Sequence, residues 1–147
     1  MGSISMGEIP DIEPGEAYRQ LQSDAVAQLI DVRTPAEWTF SGHPDLSALG
    51  KSVVFAQWSS FPDNAVDPQF ADRLSRALDE AGFGKETPLF FLCRSGVRSL
   101  AAANAMAAQG FTNCHNVADG FDGPLDENRQ RGRIAGWKAS GLSWMQG

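Results

Sequence analysis

The chain has 147 residues, of which 42% are hydrophobic and 20% charged, a composition that suits one globular domain with a buried core. Its formal net charge of −6 argues against a nucleic-acid partner, because phosphate binding needs net or clustered positive charge. No segment approaches the roughly 20 apolar residues of a membrane span, and the first residues lack an export signal. We therefore expect a cytoplasmic protein with no membrane partner. Residues 1–7 are expected to be a disordered terminus or an expression scar, and residues 8–147 one domain.

The two cysteines, Cys93 and Cys114, are too few for a disulfide framework. With only His43 and His115 beside them, no zinc-binding spacing is present. We expect reduced cysteines, no metal site and no cofactor.

Apolar runs alternate with helical patterns, which predicts βαβ units and a mostly parallel sheet. A first strand is predicted over 26–30, ending at Asp31. Thr34 is a suitable helix cap, Pro35 fits the first helical position and Glu37 can complete a capping box. A short helix should follow, to about Phe40.

The remaining elements are predicted from apolar spacing and from glycines at helix ends. In chain order they are a loop over 41–52, a strand over 52–55, a helix from 67 to 82, a strand over 88–92, a helix over 97–109 and a strand over 114–117. The run 88–92 is continuously apolar, which predicts the central strand, covered on both faces. Residues 119–136 are polar and glycine-rich. The tail over 137–144 should fold back, because it carries two tryptophans.

Cys93 directly follows the predicted central strand, and the segment Cys93-Arg94-Ser95-Gly96-Val97-Arg98 leads into a helix. Ligands of open parallel sheets bind beyond the carboxyl ends of the strands. The backbone N–H groups of such a turn can hold an anion at the helix N-terminus, and cationic neighbours favour a thiolate. We therefore predict that Cys93 is a nucleophilic thiolate. The alternative, a buried structural cysteine, would need neither the glycine turn nor the two arginines.

This segment resembles the active-site loop of the rhodanese family, which has a cysteine, four further residues and a helix. Other segments resemble motifs of that family in the same order. They are Asp31-Val32-Arg33 with Glu37-Trp38, Gly42-His43, Asn116-Val117, Gly120-Phe121-Asp122-Gly123, and Gly136-Trp137 through Gly141-Leu142. The resemblance implies an α/β fold, the rhodanese-like three-layer sandwich, in which helices cover both faces of a central, mostly parallel five-stranded sheet.

The resemblance also implies a sulfurtransferase. Cys93 would take a sulfane sulfur from a small donor such as thiosulfate, hold it as a persulfide and pass it to cyanide or a thiol. A protein thiol is a further acceptor of this kind. The persulfide and the donor would be held by the rest of the loop, namely Arg94, Ser95, Gly96, Val97 and Arg98.

Two alternatives stay open at this point. The first alternative is a phosphatase or arsenate reductase of the related cysteine-loop type. Those enzymes place five residues between cysteine and arginine, whereas Cys93 and Arg98 are separated by four, which disfavours this alternative. The second alternative is a catalytically silent rhodanese-like binding or regulatory module, because a fold alone does not establish an activity.

Asp31 and Arg33 are expected to form an ion pair that supports the neighbouring loop from behind, the alternative being an ordinary surface pair. Asp119 and Ser143 depart from the family pattern, standing where a glycine and a proline are usual. If Asp119 faced the pocket, its charge would oppose an anionic donor. Residues expected to have no direct catalytic role are Cys114, His43, His115, Trp58, Arg129, Arg131 and Arg133.

Overall fold

A computed structural model describes residues 8–60 and 62–146, so the predicted disordered segment 1–7 lies outside the described residues. Strands and helices alternate along most of the chain, up to β6. They are β1 (Asp11–Ile12), α1 (Pro14–Ser23), β2 (Gln28–Asp31), α2 (Pro35–Phe40), β3 (His43–Pro44), a 3-10 turn (Ser47–Leu49), β4 (Val54–Phe55), α3 (Phe70–Glu80), β5 (Leu89–Leu92), α4 (Val97–Ala108), β6 (Cys114–Val117) and β7 (Trp144–Met145).

The central sheet has five strands in the order β1-β6-β5-β2-β4, and every neighbouring pair is parallel. All four residues of β5 are buried, and this strand stands in the middle of the sheet. The predicted α/β fold class and the predicted central strand are therefore confirmed. β3 and β7 form a separate antiparallel pair.

Helices cover both faces of this sheet. On one face, Leu89 and Phe91 of β5 pack in the apolar cluster that contains the buried residues of α3 and α4. On the other face, Phe90 and Leu92 join a second cluster with α1 and Trp137. Alternate residues of one strand thus pack into two separate apolar cores. Burying each phenylalanine stabilises the folded state by about 2–3 kcal/mol.

The capping box of α2 forms as predicted. Thr34 Oγ1 accepts a hydrogen bond from Glu37 N, and the Glu37 carboxylate accepts one from Thr34 N. By contrast, α3 starts at Phe70 rather than at 67, because the Asp67 carboxylate accepts Gln69 N–H in a turn before the helix. The expected strand over 52–55 is shorter, with only Val54–Phe55 paired.

Several elements were not predicted. The predicted loop over 41–52 contains β3 and the 3-10 turn, and β1 and α1 near the N-terminus have no counterpart in the prediction. The tail does fold back: Trp137 is fully buried, whereas Trp144 is half-exposed on β7. Within the described residues, no helix is long and apolar enough to cross a membrane.

Candidate active site

Cys93 lies just past the carboxyl end of β5, between the ends of β2 and β6, and is 1% exposed. Its backbone carbonyl accepts a hydrogen bond from Phe121 N at 2.7 Å. The side chain therefore occupies the edge of the sheet at which parallel α/β proteins bind ligands.

The loop turns at Gly96, the residue before α4, with φ of 114°. Only glycine adopts this backbone conformation without strain. The turn aims Gly96 N–H at Cys93 Sγ, with 3.1 Å between nitrogen and sulfur. A backbone donor and the N-terminus of a twelve-residue helix thus both face the sulfur, and both favour negative charge there.

The loop is held from one side by the glycine-rich segment after β6. Arg94 O accepts hydrogen bonds from Asp122 N and Gly123 N, at 3.0 and 3.1 Å. At Gly120 the two backbones are so close that an added Cβ would lie 2.5 Å from the carbonyl oxygens of Cys93 and Arg94. A residue with a side chain would not fit at Gly120 without moving the Cys93 loop, which explains why a glycine stands there.

Arg98 is bound to Glu37 by a two-point ion pair, with N–O distances of 2.7 and 2.9 Å. Burial alone would raise the pKa of Glu37, but the hydrogen bonds and charge of Arg98, with Thr34 N–H, lower it below its ordinary value. The charge of Arg98 is therefore balanced by a carboxylate from α2, whereas the side chain of Arg94 is exposed. Glu37 was predicted as a helix-capping residue and not as part of the site.

Asp31 and Arg33 form an ion pair in which both side chains are 0% exposed, so the surface-pair alternative is wrong. Arg33 Nε and Nη2 donate to the two carboxylate oxygens at 3.0 and 2.8 Å, and Nη2 also donates to Gly42 O at 2.8 Å. The guanidinium stacks 4.3 Å above the Phe121 ring. The pair thus connects the end of β2 to the Gly42 turn and to the glycine-rich segment that holds the Cys93 loop.

Two buried polar residues lie beneath Cys93. Ser99 Oγ is 3.2 Å from Cys93 Sγ and 2.6 Å from Asn116 Oδ1. Asn116 Nδ2 donates to Gly96 O at 3.1 Å and to Asp11 Oδ1 at 3.3 Å. Asn116 was expected only as part of a family motif, and Ser99 was not expected at the site, although it is the third residue of the helix that follows the Cys93 loop.

A cavity of about 500 Å³ opens beside the loop, and its walls include both loop arginines. Glu37, Phe40 and Ser59 contribute to the same walls. This cavity gives space for a small molecule next to the loop arginines.

The family model described as STR4 middle domain matches residues 12–147 of this chain. This chain belongs to the STR4 middle-domain family, a rhodanese-like family.

Proteins similar to this chain include solved structures, proteins of undescribed function and a protein named rhodanese-like. The crystal structure of Rv0390 from M. tuberculosis is 42% identical with a TM-score of 0.82, and the match covers 94% of this chain and 98% of that one. The uncharacterized protein RP600 of Rickettsia prowazekii is 37% identical, over 88% of this chain and 91% of the relative. Rhodanese-like domain-containing protein 4 of Arabidopsis thaliana, a chloroplastic protein, is 29% identical over 88% of this chain but 24% of its own length.

In this rhodanese-like domain Asp119 is exposed and adopts a positive φ of 62°, the conformation for which a glycine is usual. It is not among the residues that line the cavity beside the Cys93 loop. Ser143 O accepts a hydrogen bond from Trp137 Nε1 at 2.9 Å, which fastens the tail at the other departure from the family pattern.

Cys114 lies at the opposite end of the rhodanese-like sheet from Cys93. The register places it beside Leu89, four residues before Cys93, so about 13 Å of strand separates the two cysteines. A disulfide needs Cα atoms about 4.4–6.8 Å apart. Burial raises the pKa of Cys114 to about 12, so it remains an unreactive thiol.

Three of the other residues expected to lack a catalytic role make contacts that do not involve the Cys93 sulfur. Trp58 packs its ring against Phe70 of α3, with 5.0 Å between ring centroids. Burial lowers the pKa of His115, whose Nε2 is 2.6 Å from Asn113 Oδ1. Arg131 donates to Gly123 O at 2.7 Å and so braces the glycine-rich segment.

Proposed function

We propose that this rhodanese-like domain is a thiosulfate sulfurtransferase-type enzyme that carries sulfur as a persulfide on Cys93. The observation that carries the proposal is Gly96 N–H directed at Cys93 Sγ at 3.1 Å, at the N-terminus of α4. A single sulfur atom bound to Cys93 would lie in the field of the same helix. No cofactor takes part in this chemistry.

The reaction has two steps. The Cys93 thiolate attacks the outer sulfur of thiosulfate, so a new S–S bond forms while the donor S–S bond breaks and sulfite leaves with the bonding electrons. Cyanide or a thiolate then attacks the outer sulfur of the persulfide, and Cys93 departs as a thiolate. Sulfite leaves before the acceptor reacts with the persulfide, which predicts ping-pong kinetics.

The two arginines of the loop have different roles in this proposal. In the proposed mechanism Arg94, which is exposed at the cavity, binds the anionic donor, whereas Arg98, which is paired with Glu37, holds α2 against α4. Ser95, Gly96 and Val97 supply backbone around the sulfur. Asp31 and Arg33 support the loop through the Phe121 contact.

The partners we propose are small molecules: thiosulfate or polysulfide as donor, and cyanide or a thiol, including a protein thiol, as acceptor. Polysulfide is included because a structural neighbour from Wolinella succinogenes, 23% identical with a TM-score of 0.59, is called a polysulfide-sulfur transferase. We further propose a single domain over residues 8–147 working in the cytoplasm, where its two free cysteines stay reduced.

Turnover of thiosulfate and cyanide to thiocyanate tests the proposal. We expect parallel double-reciprocal plots for the wild type, no turnover for Cys93→Ser, and near wild-type turnover for the matched control Cys114→Ser. Absence of turnover with thiosulfate and with polysulfide would instead favour a silent binding module. Cys93-dependent hydrolysis of an aryl phosphate, without sulfur transfer, would favour a phosphatase.

A further inference from the structure

The Ser99 hydroxyl has one hydrogen and two neighbours that could accept it, Cys93 Sγ at 3.2 Å and Asn116 Oδ1 at 2.6 Å. Two oxygens 2.6 Å apart require a hydrogen between them. The direction of this one hydrogen decides whether Ser99 presents a proton or a lone pair to the sulfur.

The orientation of the Asn116 amide settles that direction. Its Nδ2 donates to Gly96 O and to the carboxylate of Asp11, both of which are acceptors. Rotating the amide would put its oxygen against those two acceptors, so Oδ1 must face Ser99. Because an amide oxygen has no hydrogen to give, the hydrogen between Asn116 and Ser99 is the one on Ser99.

We propose that Asn116 is a positioning residue that turns the Ser99 hydroxyl away from Cys93, so that Ser99 Oγ accepts the S–H of resting Cys93 and opposes its ionisation. This pair acts against the Gly96 N–H, which favours the thiolate. A thiol that ionises close to the working pH combines a useful thiolate fraction with high nucleophilicity. The inference rests on the proposed function only for the role of Cys93 as the nucleophile.

The ion pairs near the sulfur keep their partners when Asn116 or Ser99 is replaced. Arg94 belongs to the loop, Arg98 of α4 is paired with Glu37 of α2, and Asp31 of β2 is paired with Arg33. The carboxylate of Asp11 of β1 accepts a hydrogen bond from Asn116 Nδ2 and loses it in Asn116→Leu, but keeps it in Ser99→Ala. The Ser99→Ala background therefore separates an effect of the Ser99 hydroxyl from an effect of Asp11, because only the first disappears in it.

The test is the rate of Cys93 alkylation by iodoacetamide from pH 5 to 10, with the modified peptide measured by mass spectrometry, in the wild type, Asn116→Leu, Ser99→Ala and the double variant. In Asn116→Leu the Ser99 hydroxyl is free to donate to the thiolate. The pH midpoint should fall by about one unit, a tenfold gain in thiolate fraction for one redirected hydrogen bond. Gly96 O keeps its bond from Leu100 N in this variant.

Ser99→Ala should also lower the midpoint, because it removes the lone pair that opposes the thiolate. In the Ser99→Ala background, Asn116→Leu should add no further shift, since its effect acts through the hydroxyl. A pH midpoint raised by Ser99→Ala would overturn the proposal. So would a double variant whose midpoint lies below that of Ser99→Ala by the full Asn116→Leu shift. An Asn116→Leu variant with the midpoint of the wild type would overturn it as well. If Asn116→Leu does not fold, the sign of the Ser99→Ala shift decides alone. The assay needs no sulfur donor, so it fails or succeeds independently of the proposed activity.

Discussion

The ion pair between Asp31 and Arg33 is shielded from water, so replacing either residue should strongly affect the stability of the protein. Their side chains are fully buried and joined at two points, and the pair also ties Gly42 and Phe121 to the end of β2. A buried pair contributes little net stability relative to apolar residues, but removing one partner leaves an uncompensated charge.

We therefore expect Asp31→Asn to lower the free energy of unfolding by about 3–5 kcal/mol, measured by urea denaturation. The matched control is Asp67→Asn at the Arg73 pair, where the arginine is largely exposed and the asparagine keeps the turn before α3. The control should lower the free energy of unfolding far less, because an exposed ion pair is screened by solvent. Equal costs for the two variants would contradict the assigned role of the buried pair.

The contact between the Cys93 loop and the glycine-rich segment belongs to the scale of elements. Gly120→Ala would bring a Cβ to 2.5 Å from two backbone carbonyl oxygens, which cannot move away without shifting the loop. Gly50 has nearly the same φ, 70° against 66°, with nothing within 4 Å of its added Cβ. Comparing the two glycines separates the clash from the cost of the backbone conformation.

Gly50→Ala should cost about 1–2 kcal/mol of unfolding free energy, the cost of a left-handed alanine. Gly120→Ala should cost clearly more and should slow Cys93 alkylation or sulfur transfer, because the loop must shift. Similar unfolding free energies and unchanged Cys93 reactivity would mean that the loop tolerates the contact.

Glu37 connects two helices, since it completes the capping box of α2 and holds Arg98 of α4. Glu37→Gln keeps the capping geometry and removes the charge, so the free energy of unfolding should fall by about 1 kcal/mol at pH 7 for this half-buried pair. Because the pKa of Glu37 is lowered from its ordinary value of 4.5, this stabilisation is present above pH 4.5 and is lost as pH falls through the folded-state pKa.

Urea denaturation of the wild type and Glu37→Gln at pH 7, 5 and 3 measures this dependence. The difference between them should hold from pH 7 to pH 5 and shrink at pH 3. A difference that is the same at all three pH values would show that the charge of Glu37 is not its source.

For the whole molecule, sequence patterns predicted those features whose cause is local. The capping box at Thr34, the apolar run of β5 and the turn at Gly96 are each determined by neighbours in the chain. The two-residue strands β3 and β7 exist only because residues about 100 positions apart meet, which no local pattern shows. α1 carries apolar residues at helical spacing, Pro14, Ala17 and Leu21, and so was predictable.

In the candidate site too, features with a local cause were predictable and contacts between distant residues were not. The position of Cys93 follows from the strand before it and the helix after it, and the Asp31–Arg33 pair from the two-residue spacing at the end of β2. The bond between Arg98 and Glu37 joins residues 61 positions apart, and the Ser99–Asn116 contact joins α4 to β6. Such contacts depend on the packing of elements, so the balance of charge at the sulfur could not be predicted.

Intact-protein mass spectrometry after incubation with thiosulfate tests the central claim, that Cys93 carries sulfur, most directly. We expect the mass to rise by one sulfur atom, the added mass to map to the peptide containing Cys93, and cyanide to remove it. Cys114→Ser should load normally, because Cys114 lies at the other end of the sheet. A reduced, alkylatable Cys93 that gains no sulfur from thiosulfate or from polysulfide would contradict the account.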